Sequence, residues 1–164
     1  MRVNGWTLYE HPLFRHQIEK LVARVELLQR RDPIGYRDQP VTKLLATINR
    51  YTREIIPRDP NAPEFRQGNT LGADNRHWFR AKFHERYRLF YRFSSKDKIM
   101  IFAWVNDDAT LRKAGANTDP YAVFHALLEA GNPPSSIAEL LAQSTAVGET
   151  VGPKPRVTPR RRSR

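Results

Sequence analysis

The chain is predicted to fold as α+β, with a small antiparallel sheet of about four strands packed against an N-terminal helical hairpin and C-terminal helices following. Three observations predict it. Two successive stretches, Phe14 to Leu28 and Val41 to Ile55, space their apolar residues as amphipathic helices do. The stretch Trp78 to Arg92 alternates with period two, broken only around His84-Glu85, as a hairpin of half-buried strands would. Ile99 to Trp104 is apolar on both phases, as suits a central strand covered on both sides.

In chain order, Trp6 to Tyr9 is a short apolar-aromatic run ended by His11-Pro12, and it makes a first strand. Pro12 opens a helix, which a proline does well because its missing N–H would be unpaired there anyway. Phe14, Ile18, Leu21, Val22, Val25 and Leu28 form its apolar stripe, and Asp32-Pro33 with Gly35 stops it near Arg31. A second helix starts near Pro40 with Val41, Leu44, Leu45, Ile48 and Ile55 inward, and Pro57 closes it. Residues 57 to 75 form a polar loop rich in proline and glycine. Within the hairpin, Phe79, Ala81 and Phe83 oppose Arg80, Lys82 and His84, and Tyr87, Leu89, Tyr91 and Phe93 oppose Arg86, Arg88 and Arg92. Ser94-Ser95-Lys96-Asp97 turns the chain into the apolar strand, which Asn106-Asp107-Asp108 ends. Asp119 caps a further helix with Pro120 at its first position and Val123, Phe124, Leu127 and Leu128 as its stripe. Gly131 and Pro133-Pro134 stop it, and Ser136 with Glu139 is a capping box for one last short helix.

Length and composition narrow the classes. The 164 residues suit one domain, taken as 1–146, followed by a basic tail, 147–164, with too few apolar side chains to fold. The net charge is +11. In the tail Lys154, Arg156, Arg160, Arg161, Arg162 and Arg164 oppose only Glu149, so the body stays basic without it. There are no cysteines, which excludes disulfides and thiolate metal sites and fits a reducing cytoplasm. The histidines are scattered outside ligand spacing with acids, so neither metal nor other cofactor is expected. No apolar run approaches the ~18 residues of a spanning helix, so no membrane role is expected.

The basic phase of the hairpin is the functional signal. A solvated sheet face mixes polar residues of both charges, and nothing in folding requires this many cations side by side. The expected partner is anionic: a nucleic acid or an acidic protein.

The order of elements resembles the RelE/ParE superfamily of bacterial toxins, and the segments look most like its YhaV toxin branch. Those segments are Val3-Asn4-Gly5-Trp6, His11-Pro12, Thr42-Lys43-Leu44-Leu45-Ala46, Arg80-x-Lys82-Phe83, Arg86-Tyr87-Arg88-Leu89-Phe90, Trp104-x-Asn106-Asp107 and Asp119-x-Tyr121-x-Val123-Phe124. The resemblance implies a RelE-like fold and the toxin of a type II toxin–antitoxin system. The toxin would be a metal-independent endoribonuclease that cuts mRNA, free or at the ribosome, and so inhibits translation and growth. It implies a cognate antitoxin similar to an AbrB/PrlF-type protein, and a toxin–antitoxin complex that binds its own promoter DNA. Two alternatives use the same fold: a ParE-like inhibitor of DNA gyrase, and a nucleic-acid-binding regulator that does not cut. Many ribosome-dependent relatives place a catalytic Tyr or His after the last strand. This chain has Asn106-Asp107-Asp108 there and no aromatic until Tyr121.

Metal-free RNA cleavage needs a base for the 2′-hydroxyl, donors for charge developing on phosphorus, and an acid for the leaving oxygen. Arg80 and Arg88 suit the donor task because guanidinium stays charged and can grip phosphate through two nitrogens. Lys82 is a base if neighbouring cations depress its pKa, and His84 is one unaided. Arg86, Arg92 and Trp78 are candidates for RNA contact, Trp78 by stacking on a base. Each has a plain structural role as the alternative: an ion pair with Asp97 or Glu85 for Arg92, a turn position for His84, edge packing for Trp78.

Overall fold

Strand β5 (Ile99–Val105) is buried along its whole length because helices lie against both faces of the sheet it centres. This comes from a computed structural model that describes residues 1–148. β3 (Phe79–Phe83) pairs antiparallel with β4 (Tyr87–Ser94), and β4 pairs antiparallel with β5. On the other side of β5 lie β2 (Trp6–Glu10) and then β1 (Arg2–Val3), with β6 (Thr145–Ala146) also pairing with β2.

Two expectations need correction here. Among the described residues the sheet has six strands, not about four, and it is mixed: β2 runs parallel to β5, with Leu8 opposite Met100. A parallel pair needs a long crossover, which the helices and loop between β2 and the hairpin supply. β1 and β6 are two residues each, too short for any alternation to mark them.

The crossover runs through α1 (Pro12–Arg31) and α2 (Pro40–Arg50), then a π-helical turn at Tyr51–Ile55 and α3 (Ile56–Arg58). Phe14 and Leu21 of α1 and Leu44 and Ile48 of α2 pack with Ala81, Phe83, Leu89, Tyr91, Met100 and Phe102 on one sheet face. The opposite face is also covered. Tyr121, Phe124 and Leu128 of α4 (Pro120–Glu129) and Leu140 of α5 (Ile137–Gln143) pack on Trp78, Phe90, Ile101 and Trp104. Phe90 stacks on Phe124 with ring centroids 4.3 Å apart, and Trp78 meets the same ring edge-on at 5.1 Å. Such aromatic pairs contribute about 0.5–1.5 kcal/mol beyond the area they bury. The basic phase of the hairpin therefore shares its face with a second core.

The punctuation of the two C-terminal helices works as read, whereas Pro57, expected to close the second helix, lies inside α3 as one of its first residues. Asp119 caps α4 by accepting from Tyr121 N–H at 3.1 Å, and Ser136 caps α5. At the hairpin apex His84 and Glu85 both have positive φ, 46° and 62°. The basic tail lies outside the described residues except for Val147 and Gly148. Val147 is buried, its N–H donates to Leu8 C=O at 2.9 Å, and its carbonyl accepts from the Met1 amino group at 2.8 Å.

Candidate active site

Register brings the two central cations together: Lys82 on β3 stands opposite Arg88 on β4, and Arg80 stands opposite Phe90. Beyond Arg88 on the β5 side is Asn106, just past the strand end. Its side-chain oxygen accepts from Arg88 N–H at 2.7 Å, and its amide donates to the carbonyls of Arg86 and Thr110. Asn106 thus ties the start of β4 to the loop that leads from β5 to α4. That loop returns Arg112 to the site, where its N–H donates to Arg86 C=O at 3.0 Å.

α4 closes the arrangement from above. Arg88 Nε donates to the Tyr121 hydroxyl at 3.1 Å, and its Nη1 donates to the carbonyls of Glu85 and Tyr87. The Arg112 guanidinium lies 5.1 Å from the centre of the Tyr121 ring and pairs with Asp119 at 2.6 Å. Asp119 is buried, and its second oxygen is the cap of α4. One carboxylate therefore fixes both Arg112 and the helix that carries Tyr121.

Arg80 and Arg88 are only 7% and 8% exposed, against the expectation of a solvated face. The reason is α4, whose N-terminal turn lies over this part of the sheet. Arg80 donates to Arg66 C=O at 2.9 Å, but its Nε and Nη1 find no partner among the described residues. Burial lowers its pKa below the ordinary arginine range; Tyr121 pulls the other way and Arg88 adds repulsion. Lys82 is exposed, and its pKa is lowered, first by the Arg80 charge, then by slight desolvation and the charges of Arg88 and Arg112. The two arginines are buried and fixed, and the lysine faces solvent.

The remaining expected residues fall elsewhere. His84 is exposed at the apex and bonds Thr47 of α2 at 2.8 Å, on the side of the helical hairpin and away from the Lys82–Arg88 pair. Trp78 is 0% exposed beneath α4 and presents no ring face to a nucleobase, which corrects the stacking expectation. Arg92 is held by Ser135 C=O and lies 5.9 Å from the Trp78 ring; it pairs with neither Asp97 nor Glu85. Arg86 is exposed beside the site. Sequence reasoning missed Arg112 and Tyr121 as members of the site. Their signal was weak: Tyr121 falls three residues before Phe124 on an ordinary apolar stripe, and Arg112 sits in an unpatterned loop.

Among the described residues no group of three or more His, Asp or Glu side chains could hold a metal ion, and no helix is long and apolar enough to cross a membrane.

Comparison with known proteins places the chain in a family. A family model, Toxin_YhaV, described as a toxin with endonuclease activity, of a toxin–antitoxin system, matches residues 8–145. Toxin YhaV of Escherichia coli O6:H1 is 47% identical over 146 residues, which is 88% of this chain and 94% of that protein. Ribonuclease toxin YhaV of Escherichia coli K12 is 47% identical over 136 residues, 82% of this chain and 88% of that protein. No solved structure matches.

Proposed function

The chain belongs to the YhaV toxin family, an endoribonuclease of a toxin–antitoxin system, and from that premise we propose that it cuts mRNA without a metal through Lys82, Arg80, Arg88, Arg112 and Tyr121. The observation that carries this reading is the exposed lysine set against three arginines. Lys82 Nζ takes the proton of the RNA 2′-hydroxyl. The 2′ oxygen then bonds to phosphorus, the bond from phosphorus to the 5′ oxygen breaks, and a 2′,3′-cyclic phosphate remains.

Arg88 and Arg80 supply the donors for charge developing on the phosphate oxygens. Among the described residues Arg80 Nε and Nη1 find no partner, and burial keeps the Arg80 charge poorly screened, so it acts strongly on a phosphate bound beside it. The Tyr121 hydroxyl accepts from Arg88 and so keeps its own hydrogen. It can donate that hydrogen to the leaving 5′ oxygen or to the phosphate. The cationic surround also disfavours a divalent ion, since the carboxylate bonded into the group, Asp119, is already paired with Arg112.

The antitoxin partner follows from membership of the system. In the proposed reading it is an AbrB/PrlF-like protein with an acidic segment that covers Lys82 and Arg86, complementary charge guiding the association. Promoter binding by the complex and action at the ribosome belong to the same reading. The deciding experiment incubates purified protein with mRNA in EDTA, with and without ribosomes, and analyses the ends. Cleavage in EDTA with cyclic phosphate and 5′-hydroxyl ends is expected. Loss of cutting on chelation, or 5′-phosphate ends, would overturn the mechanism.

A further inference from the structure

Lys82 has a second set of neighbours that the cleavage chemistry does not use. Its side chain shares with Tyr51, Glu64 and Phe65 a depression of about 260 Å³ beside the edge strand β3. The aromatic walls are held by the core. Phe65 is buried and meets Tyr91 edge-on, and Tyr51 packs on Phe83 with centroids 5.2 Å apart and planes tilted 37°. Tyr51 is nevertheless partly exposed, and it opens the π-helical turn Tyr51–Ile55. Turns of that kind are rare and are frequent at functional sites. Glu64 is exposed at the rim and, ionised, offers only acceptors.

An aromatic ring and a carboxylate acceptor beside the proposed base match the parts of a nucleotide next to the cut. The ring can stack on the π-face of a nucleobase, the carboxylate can accept from an amino group on its edge, and the Lys82 amine meets the ribose 2′-hydroxyl. We propose that the depression is a nucleobase subsite for the nucleotide next to the scissile phosphate. It favours a base carrying an exocyclic amino group over uracil. The proposal rests on the reading that places the scissile phosphate at Lys82. Glu64 argues against an acidic antitoxin segment as the occupant, since like charges would meet there.

The test has two readouts. The first maps cut sites by sequencing 5′ ends from RNA of random sequence. Adenine, cytosine or guanine should be enriched at one position beside the cut. Glu64→Gln should admit uracil there, reducing the preference by roughly tenfold. The second uses a short RNA with a 2′-deoxy sugar at the cut and 2-aminopurine beside it, which binds without being cleaved. Its fluorescence should be quenched by the full-length protein. Tyr51→Leu should restore the fluorescence and weaken binding by about tenfold or more. An unchanged cut map in Glu64→Gln with unchanged quenching in Tyr51→Leu would overturn the subsite. It would also be overturned if both variants kept the RNA behaviour and lost only affinity for the antitoxin. If Lys82→Met cuts at the parental rate, the assignment of the base fails on its own, while the non-cleavable RNA still decides the subsite.

Discussion

Lys82 and Arg88 face each other across the β3–β4 pairing, one exposed and one buried, and the buried member is bonded to Tyr121 from the helix above. This division between a fixed cation and a free one leads to distinct expectations for each residue.

Arg88→Ala should reduce the cleavage rate by about 100-fold or more, as losing a preorganised charge-stabilising donor does. It should also lower stability by about 1–3 kcal/mol, because the Tyr121 hydroxyl and the carbonyls of Glu85 and Tyr87 lose a buried donor. Single-turnover cleavage measured beside urea unfolding checks both. Exposed arginines rarely matter for stability, and on a solvated face only the rate would have changed.

Arg80→Met should separate the two effects. The guanidinium is buried with two unpaired donor positions and cationic neighbours, so a neutral side chain of similar length relieves an unfavourable burial. Cleavage should fall by about 100-fold, while stability stays level or rises by about 1 kcal/mol. A marked fall in unfolding temperature would show that Arg80 is a structural residue.

Lys82 should set the acid limb of the pH profile of kcat/KM. Neighbouring positive charge lowers its pKa, so the limb should lie below the ordinary lysine range. Removing the largest cause with Arg80→Ala should move the limb to higher pH. Activity lost through protonation should then recover in that variant as pH rises. A limb that does not move in Arg80→Ala would take the base role away from Lys82.

His11 should make stability fall in acid. Its Nδ1 caps α1 by accepting from Leu13 N–H at 3.2 Å, and its Nε2 faces the Gln143 oxygen at 2.8 Å, so the capping form is neutral. Burial lowers its folded pKa, with Gln143 opposing in part. The folded chain therefore binds fewer protons than the unfolded one. This contribution is fully present above the ordinary value of 6.5 and is lost as pH falls through the lower folded value. The loss should be about 1 kcal/mol, and His11→Asn, which can still cap, should flatten it in denaturation curves run from neutral to mildly acidic pH.

Truncation should show where folding ends. A chain stopped after Gly148 should keep its unfolding temperature, while one stopped after Ser144 loses β6 and the Val147 contacts and should melt lower. The cationic residues beyond Gly148 should steepen the salt dependence of RNA binding, because cations that meet phosphates release counterions from them. Comparing the salt slopes of the two longer forms checks that role.

The sequence by itself determined the main helices and the strands β2, β3, β4 and β5. Pro12, Pro40 and Pro120 open their helices, Asp119 and Ser136 cap theirs, and the period-two run of the hairpin puts Arg80, Lys82 and Arg88 on one face. Each of these signals is local, carried by residues a few positions apart. The parallel pairing of β2 with β5, the two-residue strands and the π-helical turn leave no such mark, because they are settled by contacts between distant segments. The site divided in the same way. Its cations were legible as an excess of like charge, but their burial was decided only when α4 packed on the sheet. That packing turned a solvated row into two fixed guanidinium groups and one free amine, buried Trp78, and brought in Arg112 and Tyr121 from a loop and a helix distant in sequence from the hairpin.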